Sequence, residues 1–369
     1  MALTAVASRL PTPPSERLPG PDVVRAVALI GVVAVNYHGY LLLAGEQQVG
    51  ESWLHRTLDP FDGPLATRFA ATFVLVAGVG VTLLTRSSLG DPARVRAARW
   101  RLVRRGVLLY VVGLLVDEIW PGTILPYYGV MFVCAAALFT LRTRWIVACG
   151  FLAAAAGAAL RSWRFQRQLD GGSTAWLTSP GGGSIRAYVF DVTVNGTHLL
   201  LPWLAILCAG IVLGRTLQRP GWRRTTLGVG AALVAVTSLV ALAEPDGGTR
   251  GHLDVAVSLD PYDRGLAYTT SVVGTAFVAY ALIDWVAIAA PRATAPLRAA
   301  GQLTLTLYLL HVFVFNLLVD WLGWIEPTGL DVALVFAGVF WVVAIAAAAA
   351  WQRRFGRGPA EIVYRAFGG

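Results

Sequence analysis

The chain consists largely of continuous apolar blocks of roughly 20 residues, separated by short charged segments. A helix of that length crosses the hydrocarbon core of a bilayer, which is about 30 Å thick. In lipid only helices and closed barrels satisfy their own backbone hydrogen bonds, and these blocks are continuous rather than alternating. Only 14% of the residues are charged, against about a quarter in soluble domains. The sequence therefore predicts an all-α fold, a polytopic transmembrane helical bundle.

The apolar blocks predict about ten transmembrane helices. Their bounds are residues 23–43, 65–85, 105–117, 122–141, 144–161, 197–214, 225–243, 267–290, 299–320 and 330–351. Residues 1–20 hold prolines, serines and charges but lack the apolar core of a signal peptide, which predicts a disordered cytoplasmic tail. The bundle then occupies residues 21–355, and residues 356–369 form a cytoplasmic C-terminal tail.

Charge alternates from one loop to the next along the chain. The basic loops lie at 86–105, 142–144, 215–224, 292–298 and 353–365, and the loops between them are acidic or mixed. Cytoplasmic loops carry the excess of arginine in membrane proteins, so the pattern predicts N-in/C-in topology in the cell membrane. The net charge of +9 follows from this pattern and requires no nucleic acid partner.

Polar groups inside a membrane are costly, so each intramembrane histidine is a candidate functional residue. The histidines are His38, His55, His198, His252 and His311. Counted along their helices, His38 and His311 lie roughly 20 Å from the inner edge, and His198 opens its span at the outer surface. The alternative is that each histidine is a separately satisfied packing residue.

The span at 299–320 carries a polar stripe. Gly301, Thr304, Tyr308 and His311 follow a three-and-four spacing, so they share one helix face. This face is expected to turn inward, toward protein or water. A seam of small and hydrogen-bonding residues between helices is the alternative.

The first span begins with Asp22 and Arg25, and Asn36 lies three helical turns after Arg25 on the same face. Arg25 suits bidentate binding of a phosphate, or alternatively pairs with Asp22 at the membrane interface. The cytoplasmic arginines, among them Arg104, Arg105 and Arg215, suit the phosphates of a soluble cofactor. They serve equally as topology determinants and as contacts for anionic membrane lipids.

The three cysteines, Cys134, Cys149 and Cys208, lie in apolar runs and are interpreted as small core residues. Their spacing indicates neither a metal site nor a disulfide framework, and no metal cofactor is expected. The sequence has no Walker motif, dinucleotide fingerprint or nucleophile elbow.

Four segments resemble one family in order along most of the chain. Residues Asp22 to Gly31, running on to Asn36, are similar to the first helix of YeiB-like bacterial membrane proteins, the domain of unknown function 418. Gly210 to Arg215 resembles the end of a middle helix of that family, and Gly301 to His311 resembles its late polar helix. The segment from Gly358-Pro359-Ala360-Glu361 to Arg365 resembles its C-terminal signature.

That family is similar to transmembrane acyltransferases, including the heparan glucosaminide N-acetyltransferases and the type-3 membrane acyltransferases. The resemblance implies that residues 21–355 form an acyltransferase-like domain. It implies transfer of an acetyl-type acyl group from cytoplasmic acyl-CoA, as co-substrate, to an acceptor on the far side. The acceptor would be a hydroxyl or amine of an extracytoplasmic glycan, a lipid-linked molecule or a small molecule.

The resemblance also bears on the catalytic residue. The glucosaminide acetyltransferases have a functional histidine in the outer loop between their first two helices, and His55 occupies that loop here. Type-3 enzymes have a catalytic histidine eleven positions after an arginine, but counting from Arg25 gives Asn36, with His38 two residues later. The expected bases are therefore His38, His311 and His55.

In this mechanism the base deprotonates the acceptor, and Asn36 or Tyr308 donates a hydrogen bond to the thioester oxygen. Arg25 would meet the phosphates of acyl-CoA from the cytoplasmic side. A proton-coupled transporter or flippase that uses the same histidines is the main alternative. A non-enzymatic membrane scaffold and a homodimer are also left open.

Overall fold

The computed structural model describes residues 18–44, 52–178, 184–242, 251, 254–326 and 329–369. Every regular element within these ranges is helical. The α-helices are α1 (Pro19–Ala44), α2 (Trp53–Leu58), α3 (Arg68–Thr85), α4 (Pro92–Asp117), α5 (Leu125–Leu138), α6 (Thr143–Leu169), α7 (Ala175–Thr178), α8 (Ile185–Phe190), α9 (Leu200–Thr216), α10 (Trp222–Leu242), α11 (Asp254–Val257), α12 (Leu266–Ala289), α13 (Ala295–Gln302), α14 (Thr304–Phe315), α15 (Leu330–Phe355) and α16 (Pro359–Gly368). Short π-helical segments, Asp191–Asn195 and Asn316–Trp321, continue α8 and α14.

Among the described residues, seven helices are long and apolar enough to cross a membrane. They are Pro19–Ala44, Arg68–Ser88, Thr143–Leu169, Trp222–Leu242, Leu266–Ala289, Thr304–Trp321 and Leu330–Phe355. An eighth results if Ile185–Asn195 and α9, bent by 58° relative to each other, count as one span. The protein is therefore a multi-pass helical membrane protein.

The predicted third and fourth spans coincide with α4 and α5. Helix α4 has 26 residues, but arginines occupy its first half, and the apolar α5 has only 14 residues. Neither satisfies the length and composition criteria that the seven helices meet. The count of ten and the N-in/C-in orientation remain predictions.

The predicted loop at 86–105 is wrong, because α4 begins at Pro92. The Asp91 side chain accepts hydrogen bonds from the backbone N–H groups of Ala93, at 2.9 Å, and Arg94, at 3.4 Å. This cap satisfies donors that have no partner inside the helix, and proline is well suited to the first helical position. The arginine-rich segment is therefore the first half of a long helix.

Helix α1 lies at the centre of the bundle and contacts α3, α12, α13, α14 and α15. Glycines allow close approach elsewhere, as between Gly78 of α3 and Gly210 of α9, where an added Cβ would overlap the facing backbone. Small residues at helix crossings are typical of membrane proteins, because close van der Waals packing, and not the hydrophobic effect, drives helices together in lipid. The three cysteines are free, with Cys208 buried and the others partly buried, as expected of core residues.

The predicted inward stripe of the ninth span is confirmed, since Gly301, Thr304, Tyr308 and His311 are all buried. The span itself is broken at Leu303, between α13 and α14. The hydroxyl of Thr304 donates to the carbonyl of Gly301 at 2.6 Å across the break. The polar stripe thus lies between helices and includes Thr304, the first residue of α14.

Helix α16 lies in the segment predicted as a C-terminal tail and packs on α4 and α14. Its Glu361 carboxylate accepts hydrogen bonds from the backbone N–H of Leu305, at 2.7 Å, and of Thr306, at 3.2 Å. It also accepts from the Thr306 hydroxyl at 2.6 Å. The two backbone N–H groups lie in the first turn of α14 and have no partner inside that helix. Glu361 therefore caps α14 from a distant part of the chain.

The predicted N-terminal tail falls mostly outside the description, because residues 1–17 are not among the described ranges. Helix α1 begins at Pro19, and Asp22 and Arg25 form an ion pair at 3.2 Å, which is one of the two alternatives expected for Arg25. The second oxygen of Asp22 accepts from Gln302 at 2.9 Å. Arg25 donates to the carbonyl of Gly301 at 3.1 Å, so the start of α1 is fastened to α13.

Candidate active site

A cavity of about 240 Å³ opens near the C-terminal half of α1. Its lining includes Asn36 from α1, Tyr308 from α14 and His198 from the segment before α9. Arg264, which precedes α12, also lines it. Most of the remaining wall is aromatic or aliphatic, including a Trp120–Tyr40 pair with ring centroids 3.6 Å apart. A few polar groups converging in an apolar cavity are typical of a small-molecule site.

Asn36 and Tyr308 lie on the two helices that the sequence analysis singled out. The Tyr308 hydroxyl lies 2.7 Å from the hydroxyl of Thr123 and accepts from the backbone N–H of Ile124 at 3.3 Å. Asn36 makes no side-chain hydrogen bond to another described residue, and its side chain is partly exposed in the cavity. Its amide N–H donors are therefore available to a ligand.

His198 is held by a hydrogen-bond chain that fixes which ring nitrogen carries the proton. The hydroxyl of Thr197 lies 3.1 Å from the carbonyl oxygen of Gly122 and 3.0 Å from Nδ1 of His198. A carbonyl only accepts, so the single hydroxyl proton of Thr197 goes to Gly122. Nδ1 must then donate to Thr197, which leaves Nε2 of His198 as an unprotonated acceptor.

Two further contacts hold Thr197 in this position. The Tyr127 hydroxyl accepts from the backbone N–H of Thr197 at 3.2 Å and donates to Asp191 at 3.4 Å. Gly122 adopts a φ of +84°, which favours glycine, and its N–H donates to Asp117 at 2.8 Å. The turn that accepts the hydrogen bond of Thr197 is therefore itself held by hydrogen bonds.

Backbone strain is concentrated at the same cavity. In the described part of the chain, the non-glycine residues with positive φ are Thr67, at 64°, and Arg264, at 53°. Both line the cavity. The left-handed region is unfavourable for such side chains and persists only where the surroundings impose it, often at functional sites.

The three histidines expected as bases lie elsewhere. His38 is buried, with Nδ1 3.0 Å from the carbonyl oxygen of Leu58, and His55 lies on α2 with Nδ1 2.7 Å from the hydroxyl of Ser52. His311 is fully buried, and its Nδ1 is bonded to the carbonyl of Tyr308. None of these three side chains lines the cavity. His252 lies outside the described residues.

His311 is separated from the cavity by aromatic rings. The ring of Trp120, which lines the cavity, is 5.5 Å from that of His311, and Tyr308 is 4.9 Å away. Nε2 of His311 is buried without a hydrogen-bond partner among the described residues. The histidine therefore borders the cavity wall but does not reach the cavity itself.

Three of the four arginines expected to bind a cofactor surround α16. The guanidinium of Arg105 lies 5.0 Å from the ring centre of Tyr364, and Arg104 donates to the carbonyl of Gly368 at 3.3 Å. Burial raises the pKa of Tyr364 to about 12, and Arg105 and Arg25 both act against that rise. Arg25 and Arg105 thus share one neighbour, and Nε of Arg105 has no partner among the described residues.

Arg215 lies apart from this group. It donates to the carbonyl of Phe139 at 2.8 Å and to the hydroxyl of Thr143 at 3.0 Å, at the connection of α5 to α6. Its guanidinium is therefore used to hold that connection. Within the ranges that the structure describes, no group of three His, Cys, Asp or Glu side chains could hold a metal ion.

A multi-pass helical bundle with a largely apolar cavity beside α1, into which a few polar groups converge, is typical of a membrane protein that binds a small molecule. Residues 17–245 match the family model described as heparan-alpha-glucosaminide N-acetyltransferase, catalytic. Residues 211–368 match the model described as protein of unknown function (DUF418). Because the first match covers more than half of the chain, the protein belongs to this membrane acetyltransferase family, and the predicted resemblance is confirmed. A comparison with curated proteins gave no match.

Sequence reasoning noted His198 at the outer surface but did not include it among the expected bases. Arg264 and Trp203 were not noted at all, although both line the cavity. The observation that could have found His198 was its placement in the outer half of the membrane, which it shares with His38 and His311. Nothing in the local sequence around Arg264 indicates that it faces a cavity.

Proposed function

We propose that the protein is a membrane acyltransferase that moves an acetyl-type acyl group from cytoplasmic acyl-CoA to a hydroxyl or amine acceptor. The observation that carries this proposal is the cavity lined jointly by Asn36, Tyr308 and His198. It combines an amide donor, a phenol and an imidazole, which are the groups that acyl transfer needs. The membership of an acetyltransferase family supports the same reaction class.

His198 is the proposed general base. As the acceptor heteroatom bonds to the thioester carbonyl carbon, its proton passes to Nε2 of His198. The tetrahedral intermediate then collapses, the carbon–sulfur bond breaks, and the imidazolium returns the proton to the leaving thiolate. The hydrogen bond from Nδ1 to Thr197 keeps the ring in the required tautomer throughout.

Asn36 is the proposed donor to the oxyanion. Its side-chain N–H groups have no competing partner among the described residues, so they are free to bind the carbonyl oxygen as charge develops on it. Tyr308 adds a second donor if Thr123 supplies the proton of their shared hydrogen bond. In either arrangement, the backbone N–H of Ile124 keeps the phenol oriented.

The arginines around α16 are the proposed site for the phosphates of acyl-CoA. Arg25 and Asn36 lie on the same helix about 16 Å apart, so a donor bound at one end of α1 extends toward the other. Arg104 and Arg105 supply further guanidinium donors next to Tyr364. Guanidinium groups suit phosphates because their planar fork binds two oxygens at once.

The proposed sidedness follows from the arginine pattern. The basic loops would face the cytoplasm, where acyl-CoA is found, and the cavity would open at the outer side of the cell membrane. The acceptor would then be an extracytoplasmic glycan, a lipid-linked molecule or a small molecule. A homodimer is compatible with this arrangement and is tested by the mass of the purified complex.

A proton-coupled transporter or flippase is the second candidate, favoured by one observation. His311 is fully buried in the bundle, and its Nε2 has no partner among the described residues. A buried ionisable group of this kind is typical of proton relays. Transport by the protein in vesicles without any acyl-CoA would favour this candidate.

The test is acyl-CoA turnover by the purified full chain in detergent, with calorimetry to measure acyl-CoA binding. We expect wild type to bind acetyl-CoA and lose its thioester slowly without an acceptor. His198→Gln and Asn36→Ala are expected to keep the binding and lower the turnover at least a hundredfold, as for removal of an oxyanion donor. Arg25→Gln is expected to weaken binding instead.

The histidines expected as bases from the sequence supply the comparison variants His38→Ala, His55→Ala and His311→Ala. Loss of turnover in one of these, with full turnover in His198→Gln, would move the base to that histidine. Exposed Gln218 supplies a matched surface control, since Gln218→Ala should change neither quantity. If wild type binds no acyl-CoA, the acyltransferase proposal fails.

A further inference from the structure

Arg264 lies in the lining of the cavity and forms no ion pair with a described carboxylate. It precedes Gly265, the residue before α12, and its own φ of 53° is in the left-handed region. Its hydrogen bond within the described residues goes to the carbonyl of Thr197 at 3.2 Å. No described carboxylate lies within ion-pairing distance of it. An arginine has five N–H donors, so most of them remain available.

Partial burial affects this charge. Desolvation lowers the pKa of Arg264, and the charge of Arg161 acts in the same direction. Buried charges in proteins are normally paired or hydrogen-bonded, because moving an isolated ion out of water is costly. A partly buried guanidinium with one carbonyl partner among the described residues is therefore suited to bind an anion that enters the cavity.

A second donor without a hydrogen-bond partner among the described residues belongs to Trp203, whose ring forms part of the cavity wall. Trp203 is almost fully buried, and its Nε1 has no hydrogen-bond partner among the described residues. An indole N–H donates only, so its natural partner is an acceptor oxygen. Arg264 and Trp203 are therefore both complementary to a ligand group that carries acceptor oxygens.

Two carboxylates at the rim are engaged by backbone donors of their own turns. Asp59 and Asp260 lie near Tyr262 at the rim and affect its pKa. Each is bonded to backbone N–H groups of its own turn, Asp59 to Phe61 at 2.8 Å and Asp260 to Tyr262 at 2.7 Å. Neither of these two carboxylates forms an ion pair with Arg264.

From these contacts we infer that Arg264, assisted by Trp203, binds an anionic group of the acceptor, so that the acceptor is a small carboxylate, sulfate or phosphate bearing a hydroxyl or amine. The inference rests on the proposed function for its reaction. The anion would be held at Arg264, with the aromatic walls formed by Tyr40 and Trp120 around the rest of the molecule. The reacting group would then extend toward Asn36 and His198.

The test measures anion binding separately from acyl transfer. The probes are benzoate and its neutral analogue benzamide, titrated by calorimetry into the full chain in detergent at constant ionic strength. We expect saturable benzoate binding and an affinity for benzamide at least tenfold weaker. Arg264→Gln should weaken benzoate binding at least tenfold, Trp203→Phe severalfold, and Arg264→Lys less than Arg264→Gln.

Arg167→Gln is the matched control, because Arg167 is exposed and does not line the cavity. Equal binding of the two probes, no saturable benzoate binding, or the same loss in Arg167→Gln would overturn the inference. If Arg264→Gln does not fold, Arg264→Lys and Trp203→Phe still test the inference. Benzoate binding through Arg264 without acyl-CoA turnover would support the anion site and refute the acyltransferase proposal. Acyl-CoA turnover with equal binding of benzoate and benzamide would refute the anion site and support the acyltransferase proposal.

Discussion

The contact between α13 and α1 makes a sharp prediction for Gly301→Ala. A Cβ added at position 301 would overlap the carbonyl oxygen of Asp22 and lie 2.6 Å from its carbonyl carbon and 3.1 Å from its Cα. Backbone atoms inside a helix cannot rotate away as a side chain can. Helix α13 must therefore shift relative to α1 to accept the methyl group.

The shift would also break the bonds that join these helices. They are the bonds from Arg25 to the carbonyl of Gly301, at 3.1 Å, and from Gln302 to Asp22, at 2.9 Å. Overpacking costs about 1–3 kcal/mol and each lost hydrogen bond about 1 kcal/mol, while alanine returns up to about 1 kcal/mol of helix propensity. We expect the free energy of unfolding to fall by about 2–4 kcal/mol.

The matched control is Gly338→Ala in α15, where nothing lies within 4 Å of an added Cβ. This variant should gain up to about 1 kcal/mol, so the two substitutions have opposite signs. Both are measured by equilibrium unfolding of the purified protein in mixed micelles. If Gly301→Ala is as stable as wild type, or shifts in the same direction as Gly338→Ala, the close contact with Asp22 is incorrect.

Three other substitutions test single contacts. Glu361→Ala removes the cap of α14 and should lower the free energy of unfolding by about 1–2 kcal/mol, with a smaller loss for Glu361→Gln; two variants of wild-type stability would contradict the cap. Tyr127→Phe removes an acceptor for the N–H of Thr197 and should lower acyl-CoA turnover severalfold with unchanged binding by calorimetry. Unchanged turnover would show that Thr197 is held without it. Arg215→Gln should cost about 1 kcal/mol in thermal unfolding and leave acyl-CoA affinity unchanged. A weaker affinity for acyl-CoA at normal stability would indicate that Arg215 belongs to the acyl-CoA binding site.

Parts of the site could be predicted because they depend on helix periodicity alone. The stripe from Gly301 to His311 and the pair of Asp22 and Arg25 follow from spacing within one helix, and both are found as expected. The start of α4 was also readable, since Asp91-Pro92 is a helix-start sequence, but the arginines after it were interpreted as a loop.

Other parts depend on how distant segments meet. Asn36, His198, Arg264 and Tyr308 come from four separate elements, and no spacing within the chain relates them. His38 is two residues after Asn36 and therefore points to a different side of α1, where it meets α2 instead of the cavity. Depth in the membrane could be counted from the sequence, but the facing direction of each histidine could not.

The cap on α14 also bears on the order in which the protein can be completed during synthesis. Glu361 follows Thr306 by 55 residues, so the ribosome makes α14 and α15 before the carboxylate that caps α14 exists. Until then the N–H groups at the start of α14 have to be satisfied by water or lipid headgroups. The helix that carries Tyr308 and His311 is thus expected to reach its final position late, only after α16 has docked. A chain that is stopped just after α15 would insert into the membrane but retain an unfinished site.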